Sequence, residues 1–161
     1  MNEAEFKKHL DAAERNPKQV AAAVSGLPEK VLRYKPAPDQ WCILEVLAHL
    51  ADIEIVYAYR IRQILADKEP VIAPMDQNDW ARNLNYANVP APELVAVYAL
   101  NRHHNLRLLR GLMPVDLEKG AYHPELKRKF SLAEQVERIA SHGASHLEQI
   151  ERLKKAAAQG K

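Results

Sequence analysis

Apolar residues recur along this chain at steps of three and four, and four stretches hold that rhythm long enough to form packed helices. The first covers residues 3 to about 15, with Phe6, Leu10 and Ala13 on one side. Asn16-Pro17 is expected to restart it, asparagine as cap and proline at the first helical position, through Val24 to Ser25-Gly26. Leu27-Pro28 opens a short turn. Lys35-Pro36-Ala37-Pro38-Asp39 reads as a stiff connector, because proline and the residue before it disfavour helix. The second long helix covers about 42 to 66, with Ile43, Val46, Leu47, Leu50, Ile53, Tyr57, Ile61 and Ile64 as its buried stripe. Residues 70 to 90 read as a loop with one helical turn near Trp80, long enough to act as a lid. A third helix covers 92 to about 111; Leu94, Tyr98, Leu108 and Leu112 share a face that Asn101 and Asn105 interrupt. Residues 113 to 129 form another connector. Ser131 with Glu134 is a capping-box pair, and it opens a last helix to about 157. No segment shows the alternation of a strand. The expectation is one all-α bundle with long connectors, a single domain over residues 1–161.

Composition narrows the function classes. Apolar residues are 47% and charged residues 27%, an ordinary globular balance. The net charge of +2, with bases and acids interleaved, argues against a nucleic-acid partner. No apolar run reaches the roughly 18 residues of a membrane span. The N-terminus is polar and acidic, unlike a signal peptide, and the lone Cys42 fits a reducing compartment, so a cytoplasmic location is expected. Cys42 is read as a buried, inert thiol.

The chemistry lies in the seven histidines. His142 and His146 are four residues apart on the last helix, so their rings share a face one turn apart. His146 continues the stripe Leu132, Val136, Ile139, Gly143, Ile150, Leu153, with His142 at its edge. A buried imidazole without a partner costs about 1–3 kcal/mol, so something should satisfy it. The plain reading is a core histidine bonded to a neighbour; the sharper one is a metal ligand. His49 lies at the edge of the second helix's stripe, with Asp52 three residues on and placed to accept a ring N–H. Its plain reading is a half-buried histidine paired with Asp52 or Glu45. On the sharper reading the three together would form a His₃ metal site with open positions for water or substrate. The other four are read as peripheral: His9 on the surface, His103 and His104 exposed, His123 structural in a connector. Asn101 and Asn105 suggest either a polar cavity or an interhelical amide contact.

The segments Pro36-Ala37-Pro38-Asp39-Gln40-Trp41 and Glu45-Val46-Leu47-Ala48-His49-Leu50-Ala51-Asp52 resemble the second-helix motif of the DinB-like (DinB/YfiT) bundle proteins. His123-Pro124-Glu125-Leu126 and His142-Gly143-Ala144-Ser145-His146-Leu147-Glu148-Gln149-Ile150 resemble their last-helix motif. The resemblance implies an up-down-down-up bundle, a divalent metal on His49, His142 and His146, and a homodimer. It also implies either a transferase or isomerase that uses a low-molecular-weight thiol, or a protein without known activity. Two positions depart from the pattern: Gly143 stands where Asp is usual, and Ser145 where a second His is common.

The expected function is metal-dependent chemistry on a small-molecule substrate, thiol-dependent S-transfer first and metal-dependent hydrolysis as the alternative. Asp52 would orient His49, and Asn101 and Asn105 would line the pocket. Zinc or nickel is the expected ion, then iron or manganese, since imidazole suits several metals. A non-catalytic dimeric interaction module is the competing class.

Overall fold

In the computed structural model, which describes residues 1–160, α1 runs unbroken over Glu3–Val24, with Pro17 inside it. The expected restart at Asn16 does not occur, and the reason is local. Pro17 has no N–H, so the carbonyl of Ala13, four residues back, loses its helical donor. Arg102 supplies a replacement, its Nη1 donating to that oxygen at 2.7 Å. Asn16 is buried rather than capping, and its Nδ2 donates to the Ala140 carbonyl at 3.0 Å. The true cap is Asn2, whose side chain accepts from the Glu5 N–H while Glu5 accepts from the Asn2 N–H.

A short α2 (Glu29–Leu32) and the proline-rich connector lead to α3 (Ile43–Ala66). Then come α4 (Gln77–Asn83), a 3₁₀ turn at Tyr86–Asn88, α5 (Ala91–Leu109), a second 3₁₀ turn at Pro114–Glu118, and α6 (Leu132–Ala158). The capping box Ser131–Glu134 opens α6 as expected. One element was not expected. The connector before α6 folds as an antiparallel hairpin, β1 (Gly120–His123) with β2 (Arg128–Ser131), in register Gly120↔Ser131 to His123↔Arg128. Four-residue strands are too short to show alternation, and the turn is made by Lys127 in the left-handed region at φ 52. The edge of β1 is covered by the loop after α3: the Ile72 N–H donates to Tyr122 and the Tyr122 N–H to Pro70.

Two apolar clusters fill the bundle. One joins Val20 and Val24 of α1 to Ile43 and Leu47 of α3, Leu94 of α5, and Ile150 and Leu153 of α6. The other joins Leu10, Ile61, Ile64, Leu106, Leu109, Leu132 and Val136. The pairing of helix starts with helix ends sets the topology: α1 and α6 run one way, α3 and α5 the other, giving an up-down-down-up four-helix bundle. Between the clusters lies a polar layer containing Asn16, His49, Glu54, Arg102, Asn105 and His142. Among the described residues no helix is long and apolar enough to cross a membrane.

Gly143 lies where α6 packs tightly against α1 and α5. A Cβ there would stand 2.4 Å from Asn16 Nδ2 and 2.9 Å from Tyr98 Oη. Gly143 stands where the resembling pattern usually has Asp, and Asn16 fills the space beside it here. Gly143→Ala is therefore expected to cost about 1–3 kcal/mol through overpacking. Urea denaturation would show it as a lower midpoint at unchanged slope; an unchanged midpoint would mean that Asn16 moves freely.

Candidate metal centre

α3 and α6 lie antiparallel, so His49 near the start of one meets His142 and His146 in the middle of the other. His49 is 1% exposed and the two α6 rings are half-buried; His49 and His142 line a cleft. The Nε2 atom of His142 lies 3.1 Å from Nε2 of His49 and 3.1 Å from Nε2 of His146. Each ring offers one ligand atom to the group, and these all lie within 4.8 Å of one another.

One Nε2 carries either one N–H or one lone pair, so hydrogen bonds alone serve three converging nitrogens poorly. A shared cation serves all of them. Nitrogens bound about 2.0–2.1 Å from a tetrahedral ion lie roughly 3.3 Å apart, close to the two separations that His142 makes. His146 is set for this role. Its Nδ1–H donates to Gln149 Oε1 at 2.8 Å, which leaves the Nε2 lone pair facing the cluster. Trp41 packs against two of the rings, tilted to His49 at 5.2 Å and near-parallel to His146 at 6.5 Å.

Burial keeps these rings neutral. It lowers His49 to about 3, with the charges of His146 and Arg138 adding to the effect. Burial, then His146, His49 and Arg138, lowers His142 to about 2. Burial also lowers His146, while its bond to Gln149 opposes the shift. Neutral imidazoles with converging lone pairs are what a divalent ion requires.

The expected supporting residues are placed differently. Asp52 does not touch His49. It accepts a 2.5 Å hydrogen bond from the Tyr86 hydroxyl, and His49 Nδ1 is buried with no protein partner. Three residues along a helix is a rotation of about 300°, which turns Asp52 toward the 3₁₀ turn instead of along the ring plane. Glu45 is also occupied, accepting from the Cys42 N–H and from Lys35. Asn105 makes the interhelical amide contact: its Nδ2 donates to the Glu54 carbonyl at 3.0 Å and to the Glu54 carboxylate at 3.1 Å. Neither Asn101 nor Asn105 lines the cleft beside the histidines. Cys42 is buried at the N-terminus of α3, and burial pushes its thiol pKa up, away from the reactive form. His103 and His104 are exposed, and His9 is half-buried.

The cleft holds about 660 Å³ and runs from His49 and His142 along the groove between α3 and α6. It is lined by residues that the spacing argument passed over: Tyr57 and Arg60 from α3, Gln135 and Arg138 from α6, and His123 from β1. A signal for two of them existed. Gln135 and Arg138 precede His142 by seven and four residues, which is one helical face. His123 needed the hairpin, which brings it against Phe130 at 5.8 Å and turns both toward the cleft.

An up-down-down-up bundle with three neutral histidines converging at an open cleft defines a class of helical proteins built to hold one divalent ion. The sequence places the chain more closely. Residues 12–150 match the DinB superfamily model, and the chain belongs to that superfamily. A "Putative metal-dependent hydrolase" of Oceanobacillus iheyensis is 34% identical over 114 residues, 70% of this chain and 64% of that protein, so the match spans just under two thirds of the relative. A second protein of the same description, from Bacillus mycoides, is 29% identical over 148 residues, 91% of this chain and 84% of that protein. The solved structure of YfiT from Bacillus subtilis, described as "a probable metal-dependent hydrolase with an unusual four-helix bundle topology", superposes with a TM-score of 0.91. It shares 22% identity and covers 98% of this chain and 90% of its own, a likeness of fold.

Proposed function

We propose that the protein is an enzyme that binds one divalent metal ion through His49, His142 and His146 and acts on a small molecule in the adjoining cleft. The observation that carries this reading is the convergence of three neutral Nε2 atoms, from one buried and two half-buried rings, with no fourth protein ligand among the described residues. Structural sites are closed by four protein ligands, whereas three leave room for a reactant. When bound, the ion supplies Lewis acidity, lowering the pKa of a water or thiol presented to it toward neutrality. The chain's own part is to hold the rings. Gln149 fixes the tautomer of His146, and Trp41 packs over His49 and His146.

Hydrolysis is supported by the descriptions of the relatives, and it needs a base near the reacting water. Asp76 lines the cleft but is engaged in capping α4; Glu125 is exposed and makes no ion pair among the described residues, which makes it the base to test. Thiol transfer is favoured by a different observation: no carboxylate belongs to the cluster itself, and a thiol of low molecular weight needs no separate base once its pKa is lowered. We also propose that two copies associate, with exposed Ile55 and Tyr59 on α3 as apolar surface; sedimentation velocity reads the mass.

The decisive test is elemental analysis of untagged protein beside His49→Ala, His142→Ala and His146→Ala. The expected result is one divalent ion per wild-type chain, with affinity lowered by at least about tenfold in each variant. A wild-type chain that takes up neither zinc, nickel, iron nor manganese would overturn the reading and leave the bundle as an interaction module. With the metal established, paired screens for ester and amide hydrolysis and for thiol addition to electrophiles separate the two chemistries.

A further inference from the structure

The cleft continues past the histidines into a region whose composition the metal reading does not explain. At about 1.5 Å of helix per residue, Arg138 lies about 6 Å and Gln135 about 10 Å along α6 from His142. Tyr57 and Arg60 face them from α3. Arg138 makes no ion pair among the described residues, whereas Arg128, nearby on the hairpin, pairs with Glu134 at 2.8 Å. The one hydrogen bond that Arg60 donates among the described residues goes to the Ala73 carbonyl at 3.0 Å. Burial lowers the pKa of Arg60; Tyr57 and Glu125 oppose that shift, and the nearby charge of Arg138 adds to it. Arg138 also opposes protonation of all three histidines. Gln135 is 0% exposed, lines the cleft, and has neither its Oε1 nor its Nε2 bonded to protein. A buried amide with both ends unpartnered is costly unless something else pairs with it.

We propose that Arg138, Arg60 and Gln135 form an oxyanion subsite, so that the substrate is a small molecule whose carboxylate or phosphate arm lies about 6–10 Å along the cleft from its reacting group. The proposal rests on the reading of this cleft as the substrate site. An oxyanion between the arginines offsets their repulsion and accepts charge-assisted hydrogen bonds from both. Gln135 Nε2 donates to the same group, and its Oε1 accepts from an N–H or O–H beside it. The carboxylates at the rim do not fill the subsite. Asp76 is capping α4, and Glu125, exposed, supports the charge of Arg60 without an ion pair among the described residues. Two further bases on the hairpin are engaged elsewhere: Arg128 is paired and Lys129 donates to the Glu118 carbonyl at 2.7 Å.

The test is calorimetric titration of the full chain, zinc-loaded and zinc-free, with succinate, inorganic phosphate and neutral succinamide, with zinc content measured on each sample. Saturable binding of succinate or phosphate, and none of succinamide, is expected in both forms; the tighter anion identifies the arm. Arg138→Ala is expected to weaken it at least about tenfold with zinc content unchanged. Gln135→Leu is expected to weaken it severalfold while raising the urea midpoint, because two unpartnered polar atoms leave the interior. An anion that binds Arg138→Ala as well as wild type overturns the proposal. So does binding that vanishes when zinc is removed, since the anion would then sit on the metal. A Gln135→Leu variant that binds normally and is less stable makes the amide structural and also overturns it. The zinc-free titration still reads the subsite if no metal binds, so failure of the metal reading and failure of this one are distinguishable.

Discussion

Replacing Arg102 with alanine is expected to lower the free energy of unfolding by about 3–5 kcal/mol, the usual cost of breaking a buried ion pair from one side. Arg102 and Glu54 are 1% and 0% exposed, and Arg102 Nη2 donates to Glu54 Oε1 at 2.7 Å. Alanine leaves that carboxylate in the interior with Asn105 as its remaining donor at 3.1 Å. It also strips the donor from Ala13, whose carbonyl has no helical partner because Pro17 follows it four residues on. A contact with the Ile139 carbonyl, 3.4 Å, goes as well. One side chain thus joins α1, α3, α5 and α6 midway along the bundle. Domains of this size are stable by about 5–15 kcal/mol, so the variant stands near the edge of folding. Urea denaturation measures the loss. The double variant Glu54→Leu/Arg102→Met should recover part of it, since removing both charges avoids the orphaned carboxylate. A loss under about 1 kcal/mol in Arg102→Ala would show that water reaches Glu54 and that the layer is not sealed.

The stripes of α3 and α6 were legible because each buries one face against the rest of the bundle, and burial writes a three–four rhythm into the sequence. The same rhythm located His49, His142 and His146. What it could not show was compensation from elsewhere in the chain. Pro17 reads as a break because the residue that repairs the broken hydrogen bond lies far along the sequence, at Arg102. Asp52 reads as a partner of His49 because spacing gives proximity along a helix but not ring orientation; the Tyr86 hydroxyl, on a 3₁₀ turn, claims it instead. The hairpin over Gly120–Ser131 is held by register and by the segment at Pro70–Ile72, and its strands are too short to carry a pattern. Without it, His123 has no path to the cleft. Gln135 and Arg138 were on the right face but polar, and a search for apolar periodicity discards such positions.

The metal-free protein is expected to lose stability steeply as pH falls from 6.5 to 5. Folded His49 and His142 have pKa values lowered from 6.5 to about 3 and about 2, chiefly by burial. The unfolded chain therefore takes up protons in this window that the folded chain refuses, and unfolding is favoured. The contribution of the neutral rings is fully present above 6.5 and is lost as pH falls toward the folded values. At about 1.36 kcal/mol per pH unit for each group, the two cost about 4 kcal/mol by pH 5, a large share of the total. His146, lowered in the same direction, adds to the loss. Urea titrations at half-unit steps measure the slope. His142→Asn removes one of the titrating rings, so its curve should be shallower by up to one proton. Zinc should move the acid transition to lower pH, because an ion held by neutral imidazoles stabilises only the folded chain and competes with protonation. Stability that stays flat to pH 5, or a slope unchanged in His142→Asn, would mean that the folded rings take up protons readily. The cluster would then be open to water and to charge, and the case for a preformed, deprotonated metal site would fall with it.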